Sequence, residues 1–334
     1  MKIIVSSAAT RSLDRPGFPL LQIVILAAAL AIYVFFPDRL SLATYVAIFA
    51  LFAVSLDVAL GIAGIVTLGH AVFFGIGAYS AGLLAVGGWQ EPITGVFAGG
   101  LLAAGLAACL GPFILRLTGL PLVMVTLAVG IVFFEAANKM TWLTGGDDGL
   151  FGIELDPVLG FFDWSIFGHT EYLYVLAWLA VIFFSLERLG RSSFGIALRG
   201  IRENRQRMEL LGSAVLGHLV LAYVISAFVA GVAGALLAQT TEFVGLEVFS
   251  LEKSIDVVVI LVLGGIGHLF GGLLGAPVYL LVKDLSKQWD PHAWMIVIGS
   301  LLIFVMLFAR GGIFGALQGL IFQLRRKFGG GMGR

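Results

Sequence analysis

Long runs of apolar residues, broken by glycine, proline or a few charges, make up most of the 334-residue chain. A helix needs roughly 20 such residues to cross the hydrocarbon core of a membrane, and most of the runs are close to that length. The pattern predicts an all-α membrane protein, a polytopic helical bundle of about 8–10 transmembrane helices. The predicted spans are residues 18–37, 40–60, 66–87, 93–115, 119–138, 171–187, 213–239, 254–266, 268–285 and 292–309.

The total number of spans depends on how two pairs of neighbouring spans are counted. Only a glycine-rich stretch separates 40–60 from 66–87, and the same is true of 254–266 and 268–285. Each pair could be two spans, or one broken or re-entrant helix. The two breaks also resemble each other, because Leu60-Gly-Ile-Ala-Gly64 and Leu263-Gly-Gly-Ile-Gly267 share a leucine and two glycines.

The composition places the whole chain, residues 1–334, in a single transmembrane domain. Hydrophobic residues make up 60% of the chain and charged residues only 12%, against about 25% charged residues in an average soluble protein. Membrane lipid is therefore the expected surrounding of most of the surface. The formal net charge of +0 does not point to nucleic acid, and no nucleic-acid partner is expected.

The basic residues predict which side of the membrane each loop faces. With ten spans and a cytoplasmic N-terminus, all basic residues but Arg39, Lys139, Lys253, Lys283 and Lys287 fall on the inside, as the positive-inside rule requires. The loop 141–170 contains carboxylates but no Lys or Arg, as an external loop should. Both termini are then cytoplasmic, with residues 1–17 as an N-terminal segment and residues 310–334 as a tail lying on the inner membrane surface.

An arginine-rich segment, residues 188–212, interrupts the apolar pattern and is predicted to be a cytoplasmic loop. A serine near its start and Gly212 at its end predict one amphipathic helix, in which Glu203 and Arg207 are spaced as an i,i+4 ion pair. The apolar residues at helical spacing are Phe194, Leu198, Ile201, Met208 and Leu211. This helix is either a solvated loop whose arginines set the topology or a surface on which a partner docks.

Motifs of energy conversion and catalysis are missing from the sequence. It contains no Gly-x-x-x-x-Gly-Lys-Ser/Thr phosphate loop and no His-Glu-x-x-His, and its five histidines are too scattered to predict a metal site. The chain is therefore not expected to be an enzyme, and no cofactor is expected in it.

Five stretches, in order along the chain, carry a recognisable set of motifs. They are residues 60–79, 143–150 (Leu-Thr-Gly-Gly-Asp-Asp-Gly-Leu), 193–204 (Ser-Phe-Gly-Ile-Ala-Leu-Arg-Gly-Ile-Arg-Glu-Asn), 227–235 and 262–267 (Val-Leu-Gly-Gly-Ile-Gly). Together they resemble the LivM-type permease subunits of branched-chain amino acid ABC importers. The resemblance implies a bundle similar to the type II importer permeases, placed in a bacterial inner membrane.

The resemblance also implies partners and a cargo. The chain would pair with a homologous LivH-like permease, two cytoplasmic ATPase subunits that bind ATP and Mg, and a periplasmic amino-acid-binding protein. The implied cargo is a branched-chain or similar hydrophobic amino acid. In such permeases the stretch that matches 193–212 faces the ATPase, which assigns coupling to Phe194, Leu198, Arg199, Arg202 and Glu203.

Two further groups of residues are candidates for contact with the solute or with the binding protein. Polar side chains in or near the spans could face a translocation path, since ionisable groups are costly in lipid. They are Asp57, His70, Glu135, Asn138 and Asp256. The external turn Gly145, Gly146, Asp147 and Asp148 could touch the binding protein. Simple packing, interfacial exposure and loop chemistry remain the alternatives for both groups.

Two other functions stay open from the sequence. The same kind of importer could carry urea or another small polar solute. An autonomous channel or ion-coupled carrier is a third possibility, but it would need charged pairs deep in the spans, and only Asp57 comes near to that.

Overall fold

The computed structural model describes residues 27, 29–165, 168–289, 294–308 and 311–316, and in this part of the chain it contains helices and no strand. Residues 29–35 are helical, but most of the first predicted span lies outside the described residues. Six of the described helices are long and apolar enough to cross a membrane, and two shorter apolar helices accompany them. The prediction of an all-α, polytopic bundle is confirmed.

Eleven helices carry the labels used below. They are α1 Leu40–Leu56, α2 Ala71–Val86, α3 Pro92–Ile114, α4 Leu120–Lys139, α5 His169–Arg191, α6 Ser193–Glu203, α7 Arg205–Leu210, α8 Val215–Thr241, α9 Leu251–Gly264, α10 Leu269–Trp289 and α11 Trp294–Phe308. One π-helical turn, Asp57–Ile62, extends α1 at its C-terminal end. Short helical pieces lie at Pro37–Arg39, Thr141–Thr144, Gly146–Asp148 and Leu246–Phe249.

Both ambiguous pairs of spans consist of two helices with a break between them. The break after α1 covers residues 63–70, and the break between α9 and α10 covers residues 265–268. Helices α2 and α9 have 16 and 14 residues. At 1.5 Å per residue both are shorter than the roughly 30 Å of hydrocarbon, so each is a partial span.

Helix α8 lies at the centre of the bundle and packs against α1, α2 and α3. Small residues allow this, because a β-carbon on Gly234 would overlap the carbonyl oxygen of Phe74, and one on Gly77 would overlap that of Gly231. Backbones that approach so closely need glycine at the contact. These glycines therefore allow helices of the same chain to pack closely.

The periphery is formed by α4, the least buried of the six long helices, and by the segment 311–316. In this segment Phe314 is buried, with its ring centroid 4.9 Å from that of His268 and 5.7 Å from that of Phe270. The start of the predicted cytoplasmic tail thus packs on the break between α9 and α10. The rest of the tail, and the segment 1–17, lie outside the described residues.

Candidate functional site

The arginine-rich segment forms two helices, where the sequence predicted one. Ser192 begins α6 by accepting the N–H of Gly195 at 3.5 Å. The backbone is extended at Asn204, with φ −157° and ψ 99°, and the side chain of Asn204 begins α7 by accepting the N–H of Arg207 at 2.9 Å. An Asn in this conformation competes with helix continuation by capping the next helix.

The break at Asn204 separates the predicted apolar face into a buried part and an exposed part. Leu198 and Ile201 are buried under α6, and the ring of Phe194 stacks on that of His218 at 5.8 Å. Leu211 was expected on the same face, but it is 74% exposed, and Leu210 is 90% exposed. That expectation is wrong because α7 does not continue the helical register of α6.

The charged residues of this segment pair differently from the prediction. Across residues 187–212, which the structure describes throughout, the ion pairs are Arg191 with Glu187 and Arg205 with Glu209, the latter at 3.3 Å. The expected pair Glu203–Arg207 is wrong, since the helix breaks between its members. Arg199 is half-buried and Glu203 is exposed, and neither forms an ion pair within the described residues.

Arg202 is exposed along part of its length, yet its guanidinium reaches the membrane helices. Its guanidinium donates a hydrogen bond to the carbonyl oxygen of Gly61, in the π-helical turn after α1. Close beside it, the fully buried carboxylate of Asp57 accepts the N–H of Gly267 at 2.7 Å. Asp57 therefore joins the two breaks of the bundle in this structure and lines no open path.

The glycines at this junction are required by space and by backbone conformation. Gly64 and Gly267 have φ of +76° and +87°, which L-amino acids rarely adopt. A β-carbon on Gly64 would lie 2.9 Å from Cγ of Arg202, and one on Gly61 would lie 2.7 Å from the backbone nitrogen of Gly267. The similarity between residues 60–64 and 263–267 thus marks two turns that meet in space.

His268 follows directly on this junction. Burial lowers the pKa of His268 below its ordinary value, and the positive charges of Arg199 and Arg202 act in the same direction, while a hydrogen bond with the backbone of Ile266 partly opposes them. The net effect of these surroundings favours the neutral imidazole.

The candidate path residues lie apart from one another. His70 is buried, with its Nε2 atom 2.9 Å from Oγ of Ser55, as expected for a packed histidine beside a glycine turn. Glu135 is exposed and Asn138 half-buried on α4. Among the described contacts, no hydrogen bond or ion pair joins any two of the five residues.

Asp256 takes part in a buried ion pair that the sequence analysis missed. Its carboxylate accepts a hydrogen bond from the hydroxyl of Tyr279, and Lys283 donates to it at 2.8 Å. The pair lies near the start of α9, so it does not bear on the expectation about charged pairs deep in the spans. Asp256 and Lys283 are far apart in sequence and meet because α9 and α10 pack side by side.

A cavity of about 200 Å³ lies between the start of α2, the middle of α4 and the start of α9. Its lining is almost entirely apolar, with the hydroxyls of Ser250 and Ser254 as the polar side-chain groups. Oγ of Ser254 accepts the N–H of Ala71 at 3.1 Å, which joins α9 to α2. Sequence reasoning missed this cavity, since apolar residues on separate elements carry no motif.

The acidic turn 145–148 is held firmly at the other end of the bundle. Thr144 donates from Oγ1 to the carbonyl oxygen of Ala137 at 2.6 Å, and Gly145 and Gly146 have positive φ. Just beyond the turn, Leu150 and Val244 exchange backbone hydrogen bonds of 2.8 and 3.1 Å. Asp147 and Asp148 are exposed, so their carboxylates point out of a rigid loop.

Comparison with known proteins places this architecture in a family. Residues 39–306 match the profile described as branched-chain amino acid transport system / permease component. The chain is 30% identical over 328 residues to the high-affinity branched-chain amino acid transport system permease protein LivM of Escherichia coli K12, an alignment that covers 89% of this chain and 76% of that protein.

A second kind of permease is also similar. The corresponding LivH protein of Escherichia coli K12 is 27% identical over 297 residues, covering 80% of this chain and 91% of that protein. A probable LivH of Methanocaldococcus jannaschii is 25% identical over 210 residues, covering 60% and 64%. No solved structure matches the chain. The profile spans most of the sequence, and the chain belongs to the family of permease components of branched-chain amino acid transport systems.

Proposed function

We propose that this protein is the LivM-like permease subunit of an ABC importer that moves branched-chain amino acids across a bacterial inner membrane. The observation that carries the proposal is the match to LivM along nearly the whole chain. The apolar lining of the cavity between α2, α4 and α9 suits an aliphatic side chain better than a small polar solute. Importers of this kind are driven by ATP hydrolysis in partner ATPase subunits, which bind ATP together with Mg²⁺.

The ATPase contact is assigned to α6. Leu198 and Phe194 hold this helix on the bundle, while Arg199 and Glu203 form no ion pair within the described residues. Force applied to these charges is then passed to the membrane helices through the buried leucine. Six arginines in residues 188–212 and the positive-inside rule support a cytoplasmic position of this segment, with both termini on the same side.

The partner permease and the binding protein are assigned to other surfaces. A LivH-like subunit would complete the path, since the chain is similar to LivH proteins as well as to LivM. Glu135 and Asn138, on the exposed helix α4, would face that path. The rigid turn with Asp147 and Asp148 would meet the periplasmic binding protein on the external side.

Reconstitution tests the proposal directly. The chain, co-expressed with its neighbouring subunits, should purify with an ATPase and a second permease and should import leucine into proteoliposomes only when ATP is supplied. Competition with valine and isoleucine, but not with urea, would identify the cargo class. Uptake without ATP by this chain alone would instead make it an autonomous channel or ion-coupled carrier.

The contact of α6 has its own test. The double variant Arg199→Ala, Glu203→Ala should insert normally. The importer that contains it should hydrolyse ATP with little import, because the ATPase subunits lose these contacts with α6. Arg207→Ala, an exposed arginine on α7, is the matched control and should import as the wild type does. Normal import by the double variant would contradict the assignment.

A further inference from the structure

Arg202 occupies the space between the two breaks of the bundle. Its guanidinium donates to the carbonyl of Gly61, and one guanidinium nitrogen lies 3.0 Å from the place that a β-carbon on Gly267 would take. Its aliphatic stem packs on Gly64, again at a distance too short for any side chain there. One side chain of α6 is thus in contact with the break after α1 and with the break between α9 and α10.

Asp57 joins the same two breaks from inside the bundle. Its Oδ1 atom accepts the backbone N–H of Gly267 at 2.7 Å, while its other oxygen is buried and has no hydrogen-bond partner among the described residues. Burying a carboxylate in this way is costly, and the N–H of Gly267 offsets only part of the cost. The carboxylate of Asp57 lies where the end of α1, the break between α9 and α10, and α6 meet. A buried carboxylate that is retained there despite its cost indicates a role beyond filling space.

We infer that Arg202 and Asp57 are positioning residues that fasten α6 to both breaks, so that a displacement of α6 moves the ends of α1 and α9 together. The inference rests on the proposed function, because it explains how force applied to α6 reaches the solute path. It makes Arg202 a contact to the membrane helices rather than to the ATPase, and it places Asp57 at the junction rather than on the path itself.

Two of the helices next to this junction, α2 and α9, also border the cavity. The break after α1 leads into α2, whose residues Ala71 and Val72 line the cavity, and α9 contributes Leu251 and Ser254. The hydrogen bond from Ala71 to Ser254 joins these two helices at the cavity. A movement that starts at Arg202 therefore reaches the cavity through the start of α2 and through α9, which the hydrogen bond from Ala71 to Ser254 joins.

The test compares two arginine variants in the complete importer in proteoliposomes. Arg202→Met keeps the aliphatic stem over Gly64 but removes the hydrogen bond to Gly61. We expect the amount of leucine imported per ATP hydrolysed to fall about tenfold or more, since tenfold is the lower end of what one hydrogen bond of a charged group corresponds to. The ATPase should still copurify in wild-type amount. Arg207→Met, on the exposed surface of α7, should leave the ratio unchanged.

Two variants of Asp57 test the other half of the junction. Asp57→Asn retains an oxygen that can accept the N–H of Gly267 and should keep the wild-type ratio of import to hydrolysis. Asp57→Leu has a similar size without an acceptor and should lose coupling as Arg202→Met does. If Asp57 contributed only to folding, Asp57→Leu would lower the amount of protein in the membrane and leave the ratio of import to ATP hydrolysis unchanged.

Three results would overturn the inference. In the first, Arg202→Met imports with the wild-type ratio. In the second, Arg202→Met loses the ATPase during purification, which would make Arg202 a docking contact. In the third, Asp57→Asn is as uncoupled as Asp57→Leu, so that charge and not the hydrogen bond matters. If Arg202→Met or Asp57→Leu does not reach the membrane, Arg202→Gln replaces it, because its shorter side chain cannot reach the carbonyl of Gly61. A reduced ratio then supports the inference and a wild-type ratio contradicts it. Absence of ATP-driven import by the wild type would instead refute the proposed function.

Discussion

At the scale of single residues, the amount of space beside a glycine decides what the glycine does. Helix α8 contains both extremes. A β-carbon on Gly234 would overlap the carbonyl of Phe74, whereas one on Gly217 would meet nothing within 4 Å. The two positions cannot be told apart by composition or by spacing, since both are glycines in the same apolar helix.

The difference in space beside Gly234 and Gly217 predicts that replacing each by alanine has a different effect on stability. Gly234→Ala should destabilise the protein by about 1–3 kcal/mol, the usual cost of an overpacked contact, because α8 and α2 must move apart. Gly217→Ala should be neutral or slightly stabilising, since alanine favours a helix. Thermal unfolding of both variants in detergent measures the difference. Equal stability of the two would contradict the close packing of α2 on α8.

The ion pair of Asp256 with Lys283 supports a second prediction. Lys283→Met should destabilise the protein by about 3–5 kcal/mol, because it leaves a buried carboxylate without its cation. Asp256→Asn combined with Lys283→Met should recover most of that loss, since no uncompensated charge remains. Unfolding of the single and double variants by denaturant measures the recovery, and equal losses would show that charge balance is unimportant there.

At the scale of elements, the sequence predicted most helices, because long apolar runs leave few alternatives in a membrane. The boundaries were less predictable where polar groups decide them. Asn204 divides the arginine-rich segment by capping α7, and this reverses the environment expected for Leu211. Cys109 lies in an apolar stretch and is exposed on α3, since apolar positions give no sign of which face is turned inward.

The break between α6 and α7 can be tested by chemical labelling. In a Cys109→Ala background, which removes the one native cysteine, Leu211→Cys should react quickly with a water-soluble maleimide, because Leu211 is exposed. Ile201→Cys should react slowly or not at all, because the side chain of Ile201 is buried. Slow reaction at both positions would indicate one continuous helix that buries both residues on its apolar face.

At the scale of the whole molecule, the bundle could be predicted but the contacts that define its candidate sites could not. The motifs at 60–64 and 263–267 were visible in the sequence, whereas their contact through Asp57 and Arg202 depends on helix packing. The cavity between α2, α4 and α9 was even less predictable from the sequence. Its lining comes from apolar residues of several elements, and nothing distinguishes them from their neighbours until the chain has folded.

The orientation of the molecule gives the last prediction. In the Cys109→Ala background, Asp148→Cys should react with an impermeant reagent added to intact spheroplasts, since its turn is exposed on the proposed external side. Gln206→Cys, exposed on α7, should react only in inverted vesicles. Labelling of Gln206→Cys from outside would reverse the topology, and with it the assignment of α6 to a cytoplasmic partner.

The two partial spans have a consequence for how the protein enters the membrane during its synthesis. Helix α2 is too short to cross the hydrocarbon, and α9 has Glu252, Lys253 and Asp256 within its first two turns. A nascent segment of either kind partitions poorly into lipid when it emerges by itself. Each is therefore expected to wait at the insertion machinery until α1 or α10 can accompany it, so that biogenesis proceeds by helical hairpins.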